Sequence, residues 1–346
     1  MKKHRIGWLV IFAWLVLYPF AFGIGAAPPG HDKVIKGAYL GQPFPGEEPE
    51  LFAPGVVSTG LEELNAVFFP GGREIIWSIQ YGSMRWALVG MKETGSGWTE
   101  PVVLPFSGLY SDVDACISPD GQRIWFSSNR PAPGTGNPST DFDIWYVERT
   151  DAGWGEPVNP GPPINSSHHE FFPCEVNSGA VYFQSHRPGG PGAADIYCCR
   201  LKEGRFQPAV PLPEPINNSG FQGDTYVAPD ESYAIVSTTP MGVRGWSDLF
   251  VSFRQPDGSW GELVNLGPEI NSPLSENTPV VTPDGKYLFF KSRKRDNTPM
   301  GKHPLTLAEL RRVAVSPGNG NGDIYWVSTR VLQRLKTLRE NKPPRD

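Results

Sequence analysis

The sequence predicts an all-β fold: a β-propeller of four-stranded blades, five in number with six as the alternative, closed by an N-terminal strand. Three observations carry that prediction. Five imperfect units of about fifty residues recur along the chain. Each unit places a turn residue nine positions after its start: Gly72, Gly121, Gly179, Glu231 and Gly285 follow Glu63, Asp112, Glu170, Gln222 and Glu276. A constant internal offset between loops of variable length is what a repeated structural unit produces. Finally, aromatic residues reach 12% while Gly (39) and Pro (37) are both abundant, which suits many short strands joined by tight turns.

The chain opens on MKKHRIGWLVIFAWLVLYPFAFGIGAAPPG. A basic start, an apolar run from Ile6 to Ile24 and the small residues Gly25, Ala26 and Ala27 form a signal-peptide pattern over residues 1–27. The run is almost long enough to span a bilayer, so an uncleaved N-terminal membrane anchor is the alternative. Basic residues are retained inside, and either reading puts the rest of the chain outside the cytoplasm, in the periplasm or the extracellular space. Removing Lys2, Lys3 and Arg5 takes the net charge from −5 to −8. A domain this acidic is a poor partner for nucleic acid or for an anionic membrane surface.

The propeller is expected over residues 28–330. The clearest unit runs from Asp112 to Ser167 and contains DVDACISPDGQRIWFSSNR, DFDIWYVERT and GWGEPVNPGPPINSS. Its first strand leads into SPDG, a turn in which Pro presets φ and Gly accepts a positive φ. The second strand, Arg123 to Ser128, and the third, Asp143 to Val147, are apolar and aromatic, as suits sheets covered on both faces. GWGEPV supplies the fourth. The fifth unit stops after its third strand, DIYWV, so the missing strand is expected from Glu50 to Val57. Such closure removes the exposed edges of an open array. From Val331 onward, Val331, Leu332, Leu335 and Leu338 mark an amphipathic C-terminal helix over residues 331–346 that docks on the propeller.

The SPDGQRIWFSSNR, DIWYVER and GWGEPV segments resemble the WD-like repeats of the TolB propeller family, over roughly Tyr39 to Arg330. The resemblance implies a propeller and little about activity. Proteins with this repeat include periplasmic binding and scaffold proteins, oligogalacturonate lyases and the propeller domains of peptidases. TolB-type propellers usually have six blades, whereas five units are counted in this chain.

In such a propeller the strand 2–3 loops and the 4–1 connections share one face, and the SPDG turns lie on the other. The first face receives the long insertions, including one from Arg293 to Gly322 whose TLAE (Thr306 to Glu309) is a capping-box pattern for a short helix, a lid or a solvated decoration. It also collects Arg130, Arg187, Arg244, Arg293, Arg295 and Trp246, with Glu63, Asp112, Glu170, Gln222 and Glu276 at the channel mouth. From this set, Glu63, Asp112, Arg130, Glu170, Arg187, Gln222, Trp246, Glu276 and Arg293 form the candidate ligand-binding site for a protein, peptide or glycan. The competing expectation is that the acids and arginines pair with each other and pin neighbouring blades, because the same residue types recur in every unit.

No metal and no cofactor are expected. His168, His169 and His186, with His303 further on, offer a weak metal alternative, but the first three come from a single unit. No G-x-S-x-G elbow is present and no single acid pair stands out, so no catalytic residue is assigned. The leading expectation is a non-enzymatic binding protein; the alternative is a carbohydrate-active lyase or hydrolase with its site at the channel mouth. Of the four cysteines, Cys174 and Cys198 fall two strands apart, about 10 Å, too far for a disulfide. Cys116 and Cys174 occupy equivalent positions in adjacent units, where a disulfide and a pair of buried thiols are both open. The Cys198–Cys199 pair reads as packing.

Overall fold

The computed structural model describes residues 35–132, 134, 141–239, 247–295 and 304–341. Five four-stranded antiparallel blades follow one another in sequence order. The first three strands of the successive blades are Glu62–Phe68, Glu74–Gly82 and Arg85–Thr94; Asp112–Ile117, Arg123–Ser128 and Asp143–Thr150; Glu170–Glu175, Val181–Ser185 and Asp195–Cys199; Phe221–Val227, Tyr233–Thr239 and Asp248–Phe253; and Glu276–Val281, Tyr287–Ser292 and Asp323–Ser328. The second strand of the last four blades is almost wholly buried, as its apolar and aromatic residues require, and that of the first is buried over Ile75 to Ser78. The fourth strands are short, and in the first blade Gly97–Trp98 and Val102–Val103 share the role.

The ring closes as expected but over a shorter ladder. Glu50 pairs with Trp326 and Leu51 with Tyr325, and the Phe52 N–H donates to the Ile324 carbonyl. Ala53 then turns into the left-handed region (φ 43°) ahead of Pro54 and Gly55, which ends the strand. Closure beyond that point rests on side chains. Phe52 and Val57 are fully buried among Phe68, Trp77, Phe289 and Trp326, joined by Tyr39 and Leu40 of a short turn at Ala38–Gly41. Residues 35–60 therefore seal the seam between the fifth and first blades and build no sixth blade.

The 4–1 connections repeat one device. Asn165, Asn217 and Asn271 each accept from the N–H and donate to the C=O of a third-strand residue in their own blade: Ile144, Ile196 and Leu249, at 2.8–2.9 Å. Ser58 does the same for Ile324, so the closing segment supplies the missing pin of the fifth blade. These peptide groups are buried, where an unpaired N–H or C=O is costly.

On the opposite face the SPDG turns adopt the expected left-handed residue, at Gly121 (φ 72°) and Gly285 (φ 72°) among others. Glu231 holds the same conformation (φ 58°) without a glycine's freedom. Its carboxylate reaches into the third blade, where Arg200 donates at 2.6 Å beside the Tyr182 hydroxyl, contacts that a glycine would not make.

The C-terminal helix spans Arg330–Glu340; Val331 and Leu332 are buried and Leu335 packs beside them against the core that includes Phe253 and Trp260. Leu338, counted on the docking face from sequence, is 63% exposed. The capping-box helix forms at Leu307–Ala314, with Thr306 and Glu309 bonded reciprocally, and none of its residues is buried. Its C-terminal end rests on Gly60, to whose carbonyl Asn319 donates at 2.9 Å.

Candidate functional site

Glu63, Asp112, Glu170, Gln222 and Glu276 lie fully buried at or next to the starts of the five first strands. Asp112 accepts from Ser107, Ser128 and the Arg130 guanidinium, the last at 2.6 Å. Glu170 accepts from Ser166, Ser185 and Arg187, the last at 3.0 Å. The two arginines are matched in detail, each bonding the serine that flanks its acid and lying over Phe126 or Phe183. Glu276 accepts from Ser272 and Ser292, and Glu63 from Thr59. Gln222 is enclosed against Asn218 and the Ala194 carbonyl. Arg293 does not belong to this set: Ser292 pairs with Glu276 as Ser128 pairs with Asp112, so Lys294 takes the place of Arg130 and Arg187. Trp246, Arg244 and His303 lie outside the described residues.

The positions that do not repeat at this mouth lie one residue before the strand-start residues: Glu62 and Ser111 are buried, His169 and Ser275 half-buried and Phe221 exposed. Glu62 accepts from Lys291 at 2.5 Å, from Arg293 at 2.8 Å and from the Gly322 N–H. Burial alone would raise its pKa; these donors override that and hold it below the ordinary carboxylate range. Lys291 stands where the other blades place Ser78, Ser127, Gln184 and Ser237, so this charged triad marks one seam only.

A second patch spans the second to fourth blades. His169 stacks on Phe171, with ring centroids 5.6 Å apart, and His186 meets His169 edge-on at 5.6 Å. Phe142 backs Phe171 at 5.0 Å, and His186 contacts Phe221, which is 43% exposed. The His169 Nδ1 accepts from the Phe142 N–H, which leaves Nε2 facing outward near Asp141, 3.9 Å away. Burial, reinforced by His169, lowers the His186 pKa and favours the neutral ring. His168 points elsewhere, to Ser167. Among the described residues no three His, Cys, Asp or Glu side chains converge as a metal site.

Deeper in the channel lies a feature the repeat alignment left unread. All five first strands carry a β-bulge at one level, between Leu64 and Val67, Val113 and Cys116, Phe171 and Cys174, Gln222 and Thr225, and Asn277 and Val280. Two residues after each strand-start position stand Asn65, Asp114, Phe172, Asp224 and Thr278, four of them with φ between 48° and 59°. Their side chains tie blade to blade: Thr278 N–H donates to Asp224 Oδ2 and Asn65 N–H to Thr278 Oγ1, both at 3.2 Å, and Asp114 accepts from the Phe172 N–H. Burial and mutual repulsion raise Asp114 well above the carboxylate range; burial raises Asp224 to about 6. A charged or amide residue inside a strand buried on both faces is the signal the sequence carries for this level, and the repeated acids two positions earlier mask it.

From the turn face a cavity of about 260 Å³ leads to this level, lined by Asn65, Phe172, Cys116, Cys174, Glu175 and Tyr226 among others. Cys116 and Cys174 are free thiols hydrogen-bonded to one another across adjacent blades. Cys198 and Cys199 fill two different cores on opposite faces of their strand.

No protein-family model and no curated protein matches the chain. Solved structures with a similar fold include TolB from Acinetobacter baumannii (14% identity, TM-score 0.44, 68% of this chain and 49% of that one), about half of whose length this chain spans. A TolB protein from Agrobacterium tumefaciens is similar over 78% of this chain and 90% of its own, at 15% identity and TM-score 0.45. The α-L-arabinofuranosidase PaAbf62A from Podospora anserina is similar over 82% and 94%, at 12% identity and TM-score 0.44. The sheet topology makes the chain a five-bladed β-propeller, and these likenesses carry no argument about its role.

Proposed function

We propose that the chain is an exported, non-enzymatic propeller, acting in the periplasm or outside the cell, that binds a protein, peptide or glycan at the mouth bearing the strand 2–3 loops. The observation that carries this reading is the division of labour at that mouth. The repeated acids are buried and spoken for, while the non-repeated Phe171, His169, His186 and Phe221 remain partly exposed around the same opening as Glu62 and Arg293. Aromatic and imidazole faces accept a sugar ring or an apolar peptide side chain, and the flanking charges fix its polar groups. A glycan hydrolase needs two working carboxylates flanking the scissile bond. Glu62 at this mouth is neutralised by Lys291 and Arg293, and the strand-start acids are buried and already bonded.

The test is capture of a ligand from the native envelope and on a glycan array, with wild type beside a Phe221→Ala/His186→Ala variant. Binding should weaken at least about tenfold in the variant, as expected when exposed anchors are truncated. Binding that is indifferent to both changes would place the site elsewhere. Turnover of an oligosaccharide by the wild type would replace this reading with the carbohydrate-active one.

A further inference from the structure

The bulge level of the channel carries a charge imbalance and an orphaned acceptor at the same place. Asp114 and Asp224 stand at the same bulge level of the second and fourth blades, where each favours the other's neutral form, and Lys291, the cation that acts on both, is already bonded to Glu62. Glu62 takes Arg293 as well, so no described basic side chain bonds either aspartate. Beside them Asn65, 1% exposed, has an Oδ1 without a hydrogen-bond partner, and an unpaired buried acceptor is costly. Thr278 Oγ1 accepts from the Asn65 backbone N–H and Asp224 Oδ2 from the Thr278 backbone N–H, both at 3.2 Å, so the bulge residues of the first, fifth and fourth blades are joined at one level of the channel. Asn65 also lines the cavity that opens on the turn face, which gives an approach from solvent.

We propose that Asp114, Asp224, Asn65 Oδ1 and Thr278 Oγ1 hold one hard divalent cation, of the Ca²⁺ or Mg²⁺ kind, at the centre of the propeller. All four donors are oxygens, two of them anionic, which is the donor chemistry of such ions and not of zinc or copper. The ion satisfies the Asn65 carbonyl, removes the repulsion between the aspartates and links four of the five blades at the bulge level. Phe172 takes the fifth position and contributes no oxygen, so water completes the coordination sphere. The site is independent of the loop-face ligand.

The experiment is calorimetric titration of the chelator-treated full-length protein with CaCl₂ and MgCl₂, alongside thermal denaturation. One equivalent of cation should bind the wild type and raise its melting temperature. Asp224→Asn should weaken binding at least about tenfold, since it removes one of the two charged ligands. Should that variant fail to fold, Asn65→Gly keeps the left-handed backbone and removes only the amide; it too should bind more weakly, with its cation-free melting temperature little changed. Absence of binding by the wild type at millimolar cation, or equal binding by wild type and Asn65→Gly, would overturn the proposal.

Discussion

Phe52→Ala tests how the ring is closed. Only Glu50 and Leu51 form ladder pairs with the fifth blade, so the hydrogen-bonded seam is short. Phe52 instead sits fully buried with its ring centroid 5.8 Å from Phe68, 5.0 Å from Phe289 and 5.1 Å from Trp326, the first on the opening blade and the others on the last. Burying a phenylalanine contributes about 1.5–3 kcal/mol, and each edge-to-face partner adds about 0.5–1.5 kcal/mol. Truncation also leaves a cavity that the two blades cannot both fill, and measured Phe→Ala losses in such settings run at about 3–5 kcal/mol. The midpoint of urea unfolding, followed by tryptophan fluorescence, should fall accordingly, while Glu50→Ala, on an exposed side chain, should stay within about 0.5 kcal/mol. A Phe52→Ala loss below about 1 kcal/mol would refute side-chain closure and return the role to the ladder.

Two further outcomes follow from the buried groups. Arg130→Met should destabilise by about 3–5 kcal/mol because it strands Asp112 as an unpaired buried charge, and Asp112→Asn on the same background should recover part of the loss in a double-mutant cycle. Burial raises Glu63 to about 7 and Asp323 to about 6, so the folded state holds their protons more tightly than the unfolded chain does; their stabilisation is full below the unfolded pKa and is lost as pH rises through 6 to 7. Unfolding midpoints should therefore fall between about pH 5 and pH 8, with Glu63→Gln flattening the slope, and a midpoint that climbs across that range would contradict the assignment.

The blade count and the turns were legible because each rests on local chemistry: SPDG sets its own dihedral angles, and a strand rich in Ile, Trp and Phe has to be covered on both faces. The closing strand was legible as an absence, since a fifth unit ending at DIYWV leaves one sheet edge bare. Its length was not, because the turn at Ala53 depends on how the chain meets the first blade. KSRK offers two basic residues, Arg293 and Lys294, and only the pairing of Ser292 with Glu276 shows which of them stands where Arg130 and Arg187 do. The bulges were invisible for a related reason. One extra residue per first strand, present in every unit, shifts all five copies together and leaves their mutual alignment intact.

That last point bears on how a propeller of this kind should be searched for function. A residue repeated in every blade answers a demand that every blade makes. Asn165, Asn217 and Asn271 each pin a third strand; Asp112 and Glu170 each hold an arginine against a ring. Repetition therefore points to packing, whatever the residue type. A ligand breaks the pseudo-symmetry of the ring and meets each blade differently, so its contacts should sit at framework positions whose occupants vary. The position before the strand-start acid reads Glu62, Ser111, His169, Phe221 and Ser275, and the bulge position reads Asn65, Asp114, Phe172, Asp224 and Thr278. Both sets vary in charge and size at corresponding places in the blades, so a ligand at the mouth or an ion at the bulge level can meet each blade differently there, as it cannot at the repeated acids.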